Sequence, residues 1–329
     1  MQKLITLFLS LLVCLLSINS AWAFAVPIQI IPEYNMKKYD SVINQIYQNP
    51  ASHSQNLVTR INFDSAYFLG KSYLMFPTGE GPDAYFDKNP LYRTDVFDCM
   101  TYVNTVMALA YSNNLTEFQK TLKQLSYANG EVMFLTRHHF VTGDWNESNT
   151  QMGYVQDITT QLKTANNISP VRYADTIINK PNWYRMMSPE RIRVFFYPGD
   201  KQAKQLLSAL RDQSSEVSAV KISTPYIPMS AFLTSSGQPD MTLFKQIPSG
   251  AVVEIVRPNW DLTRYIGTHL NVSHLGFAIR TSQGLMFREA SMDKKQVVDI
   301  PFASYIQSLN ELDPTEGVNI LNTHEFSVF

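Results

Sequence analysis

Cysteine, glycine and net charge are all scarce in this sequence. Its 329 residues include two cysteines (Cys14 and Cys99), 13 glycines and 17 prolines. Two cysteines exclude a disulfide framework. Lys and Arg number 27 against 28 Asp and Glu, a formal net charge of -1. A chain so balanced has no general field for holding polyanions, which argues against nucleic acid as a partner. No internal repeat, heptad run or low-complexity stretch is present. The 45% hydrophobic composition excludes a mostly disordered or collagen-like chain. No H-E-x-x-H occurs, and the adjacent His138 and His139 cannot both face one metal on a regular element. Neither a catalytic metal nor a cofactor is therefore expected.

One long apolar run is present. Leu4 to Ile18 follows Lys3 and leads to Ala21-Trp22-Ala23, the small-x-small pattern after which signal peptidase cuts. The run is too short and wrongly flanked for a comfortable membrane span. Residues 1–23 are thus expected to be a signal peptide. That implies an exported protein, periplasmic or secreted, with no stable membrane anchor after cleavage. Cys14 sits inside the run behind Val13, where lipidation would want a small residue. Cleavage would leave Cys99 as the single thiol. By count alone it reads equally as a reactive group or as a buried small hydrophobe.

Hydrophobic periodicity orders the rest. Residues 35–70 read as helical, with Tyr39, Val42, Ile43, Ile46 and Tyr47 on one face and a second amphipathic stretch from Gln55 to Leu69. Residues 79–90 read as a loop, and 99–111 as an apolar helix through Tyr102, Val103, Val106, Met107 and Ala110. A further helix over 115–125 has Thr116 as its expected N-cap. Residues 131–180 are polar and irregular, and about 131–182 read as an insertion. A short helix over 199–211 precedes strand-like runs at 216–222, 251–257, 274–280, 285–289 and 318–321, with a turn at Ser282-Gln283-Gly284. Helices first and a mostly antiparallel sheet afterwards predict an α+β class, with residues 24–329 as one catalytic domain.

The neighbours of Cys99 favour chemistry. In Phe97-Asp98-Cys99-Met100-Thr101 the thiol opens an apolar helix just after a loop. The unpaired N–H groups and partial positive charge of a first helical turn favour thiolate and can bind an oxyanion. Asp98 is assigned to capping, with Thr101 helping in the first turn. A cysteine nucleophile needs a base, and of six histidines His274 stands out at the start of a strand, in Val272-Ser273-His274-Leu275-Gly276. Gly276 would let other groups approach closely. On the return strand Glu289 is either the carboxylate that orients His274 or an exposed partner of Arg288 or Arg280.

The segment Phe97-Asp98-Cys99-x-Thr101-Tyr102-Val103, followed by Ser273-His274-Leu275-Gly276-Phe277, resembles the NlpC-type cell-wall cysteine peptidases. The resemblance is closer to a branch of N-acetylmuramoyl-L-alanine amidases once called family 1460 of the domains of unknown function. It rests on Tyr92-Arg93-x-Asp95-x-Phe97-Asp98-Cys99, Arg137-x-His139-Phe140 leading to Asp144-Trp145, Tyr226-Ile227-Pro228, Ile247-Pro248-Ser249-Gly250 and the His274 strand. It implies a papain-like core, with the catalytic helix packed on an antiparallel sheet. It further implies cysteine-dependent cleavage of the amide between N-acetylmuramic acid and L-Ala in muropeptides, with Cys99 as nucleophile, His274 as base and Glu289 as orienting group. Where the superfamily commonly has His-Ala-Ser, this chain has Glu289-Ala290-Ser291; a carboxylate still accepts the imidazole N–H. Arg137, His139 and Trp145, with Tyr92 and Arg93, have two readings. They are either substrate contacts, arginine for a stem carboxylate and aromatic rings for a sugar, or a packed loop with an Arg137–Asp144 pair. Two other functions share the same features: a γ-D-glutamyl-diaminopimelate endopeptidase with the same catalytic trio, and a non-catalytic muropeptide-binding protein.

Overall fold

The computed structural model describes residues 35–188, 200–313 and 315–324. The expected signal peptide lies outside them. Helices α1 (Met36–Ile46), α2 (Leu57–Ala66), α3 (Cys99–Ala110) and α4 (Leu115–Ser126) form a first layer. The later helices are α5 (Asn146–Gln151), α6 (Lys180–Met186), α7 (Asp200–Gln213), α8 (Met241–Gln246), α9 (Thr263–Ile266) and α10 (Phe302–Leu312). Among the described residues, none is long and apolar enough to cross a membrane.

The strands are β1 (Ser72–Tyr73), β2 (Val96–Phe97), β3 (Val155–Asp157), β4 (Arg172–Ile178), β5 (Val220–Pro228), β6 (Val252–Asp261), β7 (His269–Thr281), β8 (Gly284–Ser291), β9 (Gln296–Pro301) and β10 (Gly317–Thr323). They lie in the order β2-β1-β9-β8-β7-β6-β10-β5-β4, with β3 also on β10, and every pairing but β1 with β2 is antiparallel. The class is α+β, with a curled sheet.

α3 is apolar on every side, and Tyr102 through Ala110 are all buried. A helix of that pattern belongs inside a protein. It lies among α2, α4, β7 and β8, in a core shared with Leu275, Phe277, Ile279 and Ala290. The opposite core joins Val253, Ile255, Ala278 and Phe287 to Phe302 and Ile306 of α10. The sheet therefore carries apolar layers on both faces, and β6 reads as an unbroken buried run from Val252 to Val256.

Several boundaries differ from the sequence reading. The helical stretch at 35–70 is broken by a short 3₁₀ turn, Pro50–His53, capped by Asn49. Thr116 is not the cap of α4: the Asn114 side chain accepts from Glu117 N at 3.0 Å, so the cap lies at Asn114 and Thr116 is already inside the helix. The segment read as irregular contains β4, whose residues alternate between exposed and buried, and a π-helical turn at Val141–Trp145. The hairpin turn is as expected, with Thr281 paired to Gly284 across two residues.

Candidate active site

The site assembles where α3 begins and β7 and β8 run side by side. A capping box fixes the start of α3. Asp98 Oδ1 accepts from Thr101 N at 2.8 Å, and Thr101 Oγ1 accepts from Asp98 N at 3.0 Å. The other Asp98 oxygen accepts from Phe76 N at 3.0 Å. Asp98 is thus spent on structure, and Cys99, half-buried, takes the first helical position.

His274 is not at the start of its strand. It lies midway along β7, where a bulge leaves Ser273 unpaired between His274↔Ile255 and Val272↔Val256. Bulges re-aim side chains, and this one sits beside the imidazole. Phe277 pairs with Arg288, which brings Glu289 within diagonal reach of His274 on the neighbouring strand. The Glu289 carboxylate bonds His274 Nε2, leaving Nδ1 as the ring nitrogen for the thiol. Burial disfavours the imidazolium, yet the Cys99 sulfur and the Glu289 carboxylate beside it prevail and push the His274 pKa up to about 10.

Neither arginine offered as an alternative partner for Glu289 holds it. Arg288 is paired with Asp299 through two bonds at 2.6 and 2.7 Å, and Arg280 bonds the carbonyls of Phe244, Lys245 and Ile247. Gly276 is needed for space. A Cβ there would lie 2.6 Å from the Arg288 carbonyl oxygen and 2.8 Å from the Phe287 ring. That ring stands edge-on to His274 and packs against Tyr305 of α10.

The five expected substrate contacts each have partners within the protein. Arg137 pairs with Glu80 at 2.9 Å and Asp87 at 3.0 Å and bonds the Thr78 carbonyl, which ties down the 79–90 loop. Its expected partner Asp144 is held by Lys180 instead. Trp145 is fully buried and donates to Asn104 at 2.7 Å. His139 is wedged against Phe134 and Trp183, and burial, with Arg137 nearby, lowers its pKa to about 3. Its Nε2 meets the Phe134 carbonyl, whereas His138 Nδ1 meets that of Leu125, so the two rings serve different structural partners. Buried Tyr92 bonds Asp40 and Gln119, and buried Arg93 is locked to Asp95 and lies over Tyr39. Arg137, His139 and Trp145 thus have internal contacts of the kind a packed loop makes, with Glu80 and Asp87 in the place expected for Asp144.

Sequence reasoning missed two tyrosines near the thiol. Tyr73 of β1 and Tyr305 of α10 are partly exposed, and both feel the Cys99 and Glu289 charges. Burial, with those charges adding, raises both hydroxyl pKa values well above normal. Neither stands in a recognisable motif; only the fold brings them in. A cavity of about 560 Å³, lined by residues including Asp175, Lys221, Asn259 and His269, holds none of these groups.

A thiol at a helix start, beside an imidazole that a carboxylate holds, is an arrangement able to carry out acyl transfer. The chain belongs to the AmiA-like family, described as N-acetylmuramoyl-L-alanine amidase-like, whose model matches residues 64–312. The crystal structure of a Legionella pneumophila str. Philadelphia 1 protein of the DUF1460 family is similar over 88% of this chain and 96% of its own, with 38% identity and a TM-score of 0.84. An N-acetylmuramoyl-L-alanine amidase from Bacteroides uniformis shares the fold, with a TM-score of 0.55 and 18% identity over 80% of this chain and 99% of its own. No curated protein matches the sequence.

Proposed function

We propose that this protein is an exported cysteine amidase that cuts the N-acetylmuramoyl-L-alanine amide of peptidoglycan fragments. The observation that carries the reading is the His274 imidazole, held between the Cys99 thiol and the Glu289 carboxylate. Family membership supports amidase chemistry on the cell wall. The cap of α3 supports the nucleophile, since it spends the Thr101 N–H on Asp98 and leaves the Cys99 N–H at the helix start for the developing oxyanion.

In this reading His274, whose pKa near 10 keeps the ring protonated at neutral pH, already carries at Nδ1 the proton it shares with Cys99 when the sulfur attacks the lactyl carbonyl. The C–N bond then breaks, the proton passes from His274 to the departing L-Ala amine, and a thioester remains. Water, losing a proton to His274, adds to that thioester. The lactyl carboxylic acid leaves and Cys99 again shares the proton with His274. Glu289 holds the ring in position and stabilises its charged form at each stage.

The test is mass spectrometry of disaccharide-tetrapeptide digests by the wild type and by Cys99→Ala. The amidase releases free disaccharide and intact peptide, and Cys99→Ala releases neither. An endopeptidase would instead release a dipeptide. Muropeptides left intact by folded, reduced wild-type protein would overturn the reading in favour of a binding protein.

A further inference from the structure

Arg257 lies close to the site by register and has no part in the mechanism above. It lies on β6 two residues beyond Ile255, the partner of His274. Beyond Val256 the pairing of β6 with β7 slips a second time, Trp260 being the next residue paired, with Leu270, so Arg257 opens an irregular stretch of β6. Its guanidinium is fixed from two directions. The carbon lies 4.5 Å from the centroid of the Trp260 ring, and Nε stands 2.7 Å from Glu316 Oε1. The Arg257 side chain is 30% exposed and Glu316 is 9% exposed. Glu316 directly precedes Gly317, the β10 partner of Val256, so the ion pair lies at the end of that ladder, two residues along β6 from the position opposite His274.

A guanidinium presents five N–H donors in a rigid plane, and here one edge faces the protein. Neither Nη atom has a partner among the described residues. An arginine stacked on an indole and anchored through Nε has already lost its rotamer freedom, and its outer fork matches a carboxylate in two-point geometry. Glu289, Asp293 and Glu316 act on Tyr305, and Asp313 acts on Glu316, so the charges on that side of the site are acidic. They would repel an anion anywhere in the cleft except at this fork.

We propose that Arg257 is the carboxylate-reading residue of the cleft, taking a free carboxylate of the stem peptide attached to the amide that is cut. The inference rests on the amidase reading for the identity of the peptide. It adds a specificity rule: a stem whose second residue keeps its α-carboxylate is preferred to one in which that group is amidated. Trp260 and Glu316 position the fork, and Arg257 makes the contact.

The test is calorimetric binding to the Cys99→Ala protein of two muropeptides differing only in that carboxylate, free or amidated. The free acid is expected to bind about 10- to 100-fold more tightly, the worth of a charge-assisted bond pair. Adding Arg257→Gln should erase the difference, and Arg257→Lys should keep only part of it. Equal binding of the two ligands by the parent, or an undiminished preference in Arg257→Gln, overturns the proposal. The first comparison needs no second variant, so a folding failure of Arg257→Gln leaves the test intact. Acid preference in the binding assay, with no cleavage by wild type, would support Arg257 and overturn the amidase reading. Cleavage with no acid preference would do the reverse, and binding of neither ligand would overturn the proposal.

Discussion

Glu254 offers a test of the buried electrostatics beneath the site. It lies on β6 opposite Leu275, next to His274 in sequence, and is 0% exposed. Its one hydrogen bond comes from Asn146 Nδ2 at 3.1 Å, and its Oε1 is buried without a partner among the described residues. Burial, opposed by the Asn146 bond and reinforced by Asp157 and Glu147, raises its pKa to about 8. At neutral pH it is therefore mostly a neutral acid. Between the unfolded value of 4.5 and the folded value near 8, the folded state holds the proton that the unfolded state has released. Stability then falls as pH rises across that window and levels off above it. At about 1.4 kcal/mol per pH unit the whole window is worth roughly 5 kcal/mol at most. Asp64 and Glu316, each raised to about 7 mainly by burial, slope the same way, so the wild-type curve alone does not isolate Glu254. Glu254→Gln does, because it keeps the volume and the Asn146 contact and removes the titration. Urea unfolding at pH 5, 6, 7 and 8 should show the variant gaining on wild type by a few kcal/mol between the first and last. Parallel curves would refute the reasoning and mean that Glu254 has the same proton affinity folded and unfolded.

Arg137→Ala should cost roughly 3–5 kcal/mol of stability, because Glu80 and Asp87 lose their shared partner inside the protein. Its KM for muropeptide should stay at the wild-type value; a raised KM with unchanged stability would return Arg137 to the substrate. Glu289→Gln should lower kcat by about two to four orders of magnitude, as when an orienting carboxylate is lost. By NMR titration it should also move the His274 pKa down from about 10, since one of the two groups that raise it is gone. For wild type, the stability due to that shift is complete below pH 6.5 and is lost as pH rises through about 10; Glu289→Gln should flatten this dependence in the same denaturation series. Asp98→Ala should lose about 1–2 kcal/mol, the value of a helix cap, measured by thermal unfolding.

The parts of the fold that were legible in sequence are those whose signal is local. The apolar run at 99–111, with Asp98 and Thr101 at the right spacing, marks α3 and its cap together. The strand pair of β7 and β8 shows through its turn, where Gly284 takes a φ of +114°. β4 was hidden because its inward residues are Ala174, Thr176 and Ile178, only one of them a large hydrophobe. β9, Gln296–Pro301, is short and closes on a proline. β1 and β2 have two residues each and exist only through pairing with distant chain.

The site divides along the same line. Cys99 stands out as the only cysteine after the apolar N-terminal run, and His274 through the glycine two residues on; both signals are short-range. Residue type left Arg137, Trp145 and His139 open between ligand contact and packing, because an arginine or tryptophan that reads a ligand has the same letters as one that fills a core. What separates them is the partner, and those partners lie 41 to 57 positions away: Asp87 and Glu80 for Arg137, Asn104 for Trp145, Trp183 for His139. The same argument run in reverse picks out Arg257. Its side chain keeps an unfilled fork at the edge of the cleft, and no pattern of neighbours in the chain announces it. Long-range partners thus turn one arginine into scaffold and leave the other free to meet a ligand. Whether the donors of a charged group are already spent is the property that discriminates a binding residue, and only the folded structure states it.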